Sequence, residues 1–88
     1  MPSREQLEQL LAVEPTDVFL LYAVAMACAS EGDTDQAIQK LAELVEEHPD
    51  YVPAWFQRGQ LLAGLNRNAE AREVLLEGVG VARRVGDA

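Results

Sequence analysis

The stretch VFLLYAVAMACA, residues 18 to 29, is the longest apolar run of the chain and decides its fold class. Val18, Phe19 and Tyr22 favour a strand, but twelve residues exceed the usual length of a strand, and the alanines that follow favour a helix. A membrane-spanning helix needs about 20 apolar residues. The run therefore predicts a helix that is buried on several sides inside a globular domain.

Turn-forming residues divide the rest of the chain into four further helical segments. Gly32 predicts a helix end, and Asp33 or Thr34 predicts the next N-cap. Pro49 ends the following helix because the residue before a proline avoids the α region. The chain is thus predicted to be all-α, with five helices joined by short turns. The first helix is predicted at Ser3 to Val13, where Ser3 and Gln6 have the spacing of a capping box. The others are predicted at residues 18 to 29, in a segment through Val45, from near residue 51 to about Ala63, and after the turn at 64–68.

Small and apolar residues recur along the chain at positions i and i+34. The first helix shares this register, because Leu7, Leu41 and Leu75 are separated by the same interval. We therefore predict one domain over residues 1–88, with a leading half-repeat at 3–14, repeat 1 at 18–51 and repeat 2 at 52–85. The identical pairs of the two repeats are Val18 and Val52, Ala29 and Ala63, Ala37 and Ala71, Leu41 and Leu75, Glu43 and Glu77, and Val45 and Val79.

The repeated unit resembles the tetratricopeptide repeat, whose signature is Trp-x2-Leu-Gly-x2-Tyr, then Ala-x3-Phe, then Pro. The matching residues are Trp55, Gly59, Leu62, Ala71 and Leu75 in repeat 2, and Leu21, Ala25, Cys28, Ala37, Leu41 and Pro49 in repeat 1. The departures are Arg58 for leucine, Asn66 in the turn, Gly78 for an alanine-type residue, and Arg83 for the closing proline. The resemblance covers nearly the whole chain and implies an α-solenoid of antiparallel helix–turn–helix repeats that interacts with other proteins.

In this family the first helix of each hairpin lines a concave groove that binds peptides. The positions that the resemblance carries over are Phe19, Tyr22, Met26 and Ala29 in repeat 1, and Pro53, Phe56, Gln60 and Ala63 in repeat 2. None is the lysine, arginine or asparagine with which one branch of the family clamps a terminal carboxylate. An apolar or basic peptide is therefore the expected partner. The competing interpretation is that these side chains pack on the N-terminal helix, on each other, or on a second copy.

The last predicted helix suggests a second class of function, self-association. Its valines, Val74, Val79 and Val81, form a candidate association surface, because no later helix is predicted to cover them. Gly78 and Gly80 are each expected to destabilise this helix by roughly 1 kcal/mol. The alternatives are that the helix frays or that the chain is a fragment of a longer protein.

Arg58 stands at a position that the family fills with leucine, so its side chain is expected to point inward. A buried charge without a partner is costly. A structural ion pair with Glu31, Glu43 or Glu47 is the simplest prediction, and a polar anchor at the groove floor is the alternative.

Composition excludes several other functions. A formal charge of −8 and a pI near 4.4 argue against nucleic-acid and anionic-membrane partners. Cys28 and His48 are the only cysteine and histidine, and they form no recognisable catalytic or metal-ligating set. No glycine loop for a phosphate-bearing cofactor is present. We expect no enzyme activity, no cofactor and no metal, and, since no secretory signal is visible, a soluble cytoplasmic protein.

The net negative charge of the chain comes from residues 1–50. Residues 1–50 hold 11 acidic and 2 basic residues, a balance of −9, whereas residues 51–88 hold 4 acidic and 5 basic residues, a balance of +1. Contact between unlike ends of two copies would therefore be favoured electrostatically.

Overall fold

The computed structural model describes residues 2–87, and these form five α-helices and no strand. The all-α prediction and the predicted number of helices are confirmed. Each helix packs on the next along the chain, so that successive helices build up a stack with extents of 34 × 33 × 20 Å. The helices are α1 (Arg4–Val13), α2 (Val18–Ser30), α3 (Thr34–Glu47), α4 (Val52–Gly64) and α5 (Asn68–Gly86).

The turns after α2 and α4 stand one repeat period apart and have the same backbone structure. Gly32 has a φ of +85°, and Asn66, in the equivalent place, has a φ of +62°. Glycine adopts this left-handed conformation freely and asparagine tolerates it better than most residues. The Asp33 amide donates to the Cys28 carbonyl at 2.9 Å, and the Arg67 amide donates to the Leu62 carbonyl at 3.0 Å. Both turns therefore satisfy a carbonyl at the helix end in the same way.

The helix N-termini differ in how their first amides are satisfied. The predicted capping box of α1 is confirmed, because the Gln6 amide donates to Ser3 Oγ at 3.2 Å and the Ser3 amide donates to Gln6 Oε1 at 2.8 Å. At α2 the Leu20 amide donates to Asp17 Oδ1 at 3.0 Å. Asp33 stands at the N-cap of α3, but its side chain accepts no capping hydrogen bond.

Replacing Asp17 with alanine is expected to lower the free energy of unfolding by about 0.5–2 kcal/mol, because the first turn of α2 loses its cap. Asp33→Ala is the matched control, since the same atoms are removed from an N-cap position where no such hydrogen bond exists. Asp33 also lies 3.6 Å from Arg4, but this pair is partly exposed and contributes little to stability. Urea denaturation followed by circular dichroism compares the two variants. Equal destabilisation by both would contradict a specific role for the Asp17 hydrogen bond.

The core is continuous from α2 to α5. Its first buried cluster joins α2, α3 and α4, and its second joins α3, α4 and α5. The half-buried side chains of Trp55 and Leu61 contact both clusters and so connect them. The members of the first cluster are Ala25, Leu41, Leu44, Val45 and Ala54, and those of the second are Ile38, Leu62, Ala71 and Val74.

The association surface predicted on the last helix is wrong for two of its three valines. Val74 and Val81 are only 7% and 4% exposed, so these two valines belong to the interior of the chain and cannot form an association surface. The helix α5 continues through Gly78 and Gly80. Gly78 is buried because α4 approaches it closely: a Cβ added there would lie 2.9 Å from Trp55 Cβ.

Candidate protein-binding surface

An apolar cleft with a volume of about 620 Å³ lies between α1 and α2. Tyr22 and Met26, two of the predicted groove residues, form part of its wall. Leu7 of α1 faces them, and Ala23 and Ala27 leave room because their side chains are short. Pro2, Ser3, Arg4, Ser30 and Glu31 complete the lining. The cleft thus combines apolar walls with a few polar groups, as ligand-binding clefts in proteins usually do.

An aromatic cluster borders the α2 side of this cleft. The ring of Tyr51 lies 5.4 Å from that of Tyr22 and 6.3 Å from that of Phe19, both in edge-to-face arrangements. Phe19 is nevertheless 71% exposed, so one face of its ring remains open. Sequence reasoning missed Tyr51, because it stands at the N-cap of α4, outside the helix positions that the family resemblance assigns to the groove.

The environment of Tyr22 affects its ionisation. Burial raises the pKa of its hydroxyl, the neighbouring Tyr51 raises it further, and a hydrogen bond with Gln57 acts in the opposite direction. The hydroxyl therefore stays neutral at physiological pH and can serve as a hydrogen-bond donor beside the cleft.

The groove residues of repeat 2 are placed differently from those of repeat 1. The ring of Phe56 lies over Gly78 of α5, where an added Cβ would meet Phe56 Cζ at 3.6 Å. Gln60 is exposed. Neither residue lines the cleft that contains Tyr22 and Met26. The structure thus brings Tyr22 and Met26 together with α1, and Phe56 together with α5.

Charged residues connect the α1 side of the cleft to the turn between α2 and α3. Arg4 Nε lies 2.9 Å from a Glu8 carboxylate oxygen, and Arg4 Nη1 lies 3.4 Å from Glu31 and 3.6 Å from Asp33. These pairs are partly exposed, so each contributes little to stability. The pair with Glu8 lies within α1, whereas the pairs with Glu31 and Asp33 join the start of α1 to the turn after α2, beside the cleft.

The predicted ion pair of Arg58 is wrong. Among residues 2–87 the ion pairs involve only Arg4 and Arg67, and Glu31 pairs with Arg4 instead. Arg58 Nε is buried without a hydrogen-bond partner, while the residue as a whole is only half-buried. The aliphatic part of the side chain fills the leucine position, and the partial exposure shows that the residue still reaches solvent.

Cys28 and His48 lie apart from the cleft lining. Cys28 is fully buried, and burial raises the pKa of its thiol above the ordinary value. His48 caps the end of α3, where its own amide donates to the Leu44 carbonyl at 2.7 Å. No group of three or more histidine, cysteine, aspartate or glutamate side chains in the described part of the chain could hold a metal ion.

None of the helices described between residues 2 and 87 is long and apolar enough to cross a membrane.

Comparison with known proteins agrees with the repeat architecture. Two sequence profiles, each described as tetratricopeptide repeat, match residues 29–84 and residues 3–52. An uncharacterised protein of Methanocaldococcus jannaschii, MJ0572, is 30% identical over 64 residues, which cover 73% of this chain and 74% of that protein. The resemblance recognised in the repeated signature is confirmed. The chain belongs to the tetratricopeptide repeat family.

Proposed function

We propose that this chain is a protein-interaction module that binds a peptide segment of another protein in the cleft between α1 and α2. Tetratricopeptide repeats generally mediate contacts between proteins and are generally non-catalytic. The observation that carries the proposal is the cleft itself. It has about 620 Å³ of space and apolar walls that include Tyr22 and Met26.

The chemistry of the cleft specifies an occupant with apolar anchors. Met26 is flexible and adapts to irregular apolar surfaces. Tyr22 offers an apolar ring together with a hydroxyl, the combination that is common at the energetic centre of protein interfaces. An aliphatic or aromatic side chain of the peptide would therefore enter between Leu7 and these two residues.

The charges around the cleft predict the charge of the peptide residues that flank the apolar anchor. The only cation in the described cleft lining, Arg4, is already paired with three carboxylates, and residues 1–50 have a balance of −9. A peptide with lysine or arginine beside its apolar anchor is thus attracted to this end of the molecule, whereas an acidic peptide is repelled.

The test selects peptides from a random displayed library on the wild-type protein and measures their affinity by fluorescence anisotropy. Met26→Ala is expected to weaken binding of the selected peptides by about tenfold, because it removes a wall of the cleft. Gln60→Ala is the matched comparison, since Gln60 is the predicted groove residue at the equivalent position of repeat 2 and lies outside the cleft. Its affinity is expected to equal that of the wild type.

Several outcomes would contradict this assignment. Selection that yields no binding peptide would remove the proposed activity, and so would equal binding by wild type and Met26→Ala. Loss of affinity in Gln60→Ala but not in Met26→Ala would indicate that the peptide binds at α4 instead of in the cleft. Selected peptides enriched in aspartate and glutamate would contradict the expected charge.

A further inference from the structure

Three exposed apolar side chains lie together near the turn between α1 and α2. Leu10, Val13 and Phe19 are 52%, 80% and 71% exposed, and with Leu20 they line one depression. We call these four residues the leading patch. Exposed apolar side chains that lie together form a candidate interaction surface.

The repeat register shows that this exposure is specific to the first helix. Leu10 stands one repeat period before Leu44, which is only 3% exposed inside the first core cluster. Leu44 has a helix packed before it, since α2 precedes α3 and contacts it. No helix among residues 2–87 covers Leu10 in the corresponding way.

A second apolar strip lies at the other end of the stack, on α5. Leu76 is 61% exposed and Val79 is 39% exposed. Arg72 and Arg83 share their face, because residues spaced by 4, 7 and 11 positions fall on one side of a helix. We call Arg72, Leu76, Val79 and Arg83 the trailing stripe.

The same register indicates that the trailing stripe lacks a covering helix in the described part of the chain. Two of its counterparts on α3, Ile38 and Val45, are 7% and 6% exposed, because each lies in a core cluster that α4 completes. The equivalent side of α5 is thus a helix-packing surface without a helix on it in the described part of the chain. The four counterparts, each one repeat period earlier, are Ile38, Ala42, Val45 and Pro49.

Charge distinguishes between the ways in which these two surfaces could be covered. Glu14 and Asp17 line the depression of the leading patch, and neither forms an ion pair among residues 2–87. Arg72 and Arg83 are likewise without an ion pair there. Two leading patches facing each other would bring carboxylates together, and two trailing stripes would bring guanidinium groups together. A leading patch against a trailing stripe pairs opposite charges around an apolar centre.

We propose that the leading patch binds the trailing stripe of a second copy of this chain. The contact is heterologous, so each copy still offers one free patch or stripe for a further copy. It uses other residues than the peptide-binding proposal, because none of the four residues of the leading patch lines the cleft that contains Met26. The two surfaces are neighbours, since Phe19 belongs to the aromatic cluster that borders the cleft.

Complementary variants test this arrangement. Leu10→Glu removes the leading patch and Leu76→Glu removes the trailing stripe, and both side chains are exposed, so the fold is expected to be kept. Sedimentation velocity from about 5 µM to about 500 µM should show that the wild type associates as concentration rises and that each variant alone associates at least about tenfold more weakly. An equimolar mixture of the two variants should form a 1:1 dimer and nothing larger, because it contains one intact patch and one intact stripe per pair.

Val85→Glu is the matched control for the introduced charge. Val85 is 45% exposed on α5 but lies nine residues from Leu76, on the opposite side of the helix. This variant should associate like the wild type. A wild type that stays monomeric throughout the range, a single variant that associates as strongly as the wild type, or a mixture that stays monomeric would each overturn the proposal. Loss of association in Val85→Glu would also overturn it, because the charge rather than the stripe would then be responsible.

Two further measurements accompany these variants. Circular dichroism confirms the fold of every variant, and Leu10→Glu should still bind the selected peptides, because Leu10 does not line the cleft.

Discussion

Replacing Leu44 with alanine is expected to lower the free energy of unfolding by about 2–5 kcal/mol. Leu44 is 3% exposed and lies in the cluster that joins α2, α3 and α4. A cavity at this point loosens three helices at once. A chain of 88 residues is expected to have only ~4–13 kcal/mol of stability in total. The substitution therefore removes a large share of the stability of the domain.

Leu10→Ala is the matched control, because Leu10 occupies the same register position one period earlier and is 52% exposed. Its substitution should change the free energy of unfolding by less than about 0.5 kcal/mol. Denaturant unfolding of both variants at low micromolar concentration, where copies are dissociated, gives the comparison. Equal loss of stability in the two variants would contradict the difference in burial between Leu10 and Leu44.

The fold could be predicted from the sequence because its determinants are local. The turn residues are Gly32 and Asn66, and they adopt the same left-handed backbone in both repeats. The repeat period places Leu41 and Leu75 on matching faces, and the length of the apolar run from Val18 excludes a strand. Each of these features can be recognised in the sequence without knowing which helices pack against each other.

The positions of exposed surfaces could not be predicted in the same way, because they depend on which helix covers which face. The valine-rich face of α5 includes Val74 and Val81, and its regular apolar spacing marks the side that packs on the rest of the chain. The open side carries Leu76 and Val79 between arginines, so its sequence pattern resembles an ordinary solvated face. Apolar periodicity thus identified the interior rather than the surface.

The length of the arginine side chain explains why Arg58 does not form the predicted ion pair among the described residues. An inward position in the repeat signature predicts a buried charge at Arg58 that requires a carboxylate partner. An arginine can instead bury its aliphatic stem and bring only part of its guanidinium to water. Arg58 is half-buried in this way, with Nε buried and without a hydrogen-bond partner. A leucine position in a repeat signature therefore does not determine whether a charge placed there is desolvated.

The two glycines of α5 are expected to respond to alanine in opposite directions. In an exposed helix interior, alanine is more favourable than glycine by roughly 1 kcal/mol. Gly80 has no other atom within 4 Å of an added Cβ, so Gly80→Ala should raise the free energy of unfolding by about that amount. At Gly78 the added Cβ would lie 2.9 Å from Trp55 Cβ, an atom fixed to the backbone of α4. Relief requires α4 and α5 to move apart, and overpacking of this kind costs about 1–3 kcal/mol.

The repeat register explains why Gly78 has to be small. Gly78 corresponds to Leu44, and Trp55 corresponds to Leu21, so the pair of leucines in repeat 1 is replaced by tryptophan with glycine in repeat 2. The bulk of Trp55 occupies the space that the second leucine would need. Gly78→Ala should thus lower the free energy of unfolding, and Gly78→Ala combined with Trp55→Leu should recover part of that loss relative to Trp55→Leu alone. Chemical denaturation of the four variants measures both effects, and a Gly78→Ala protein that matches Gly80→Ala in stability would show that the helices can separate at no cost.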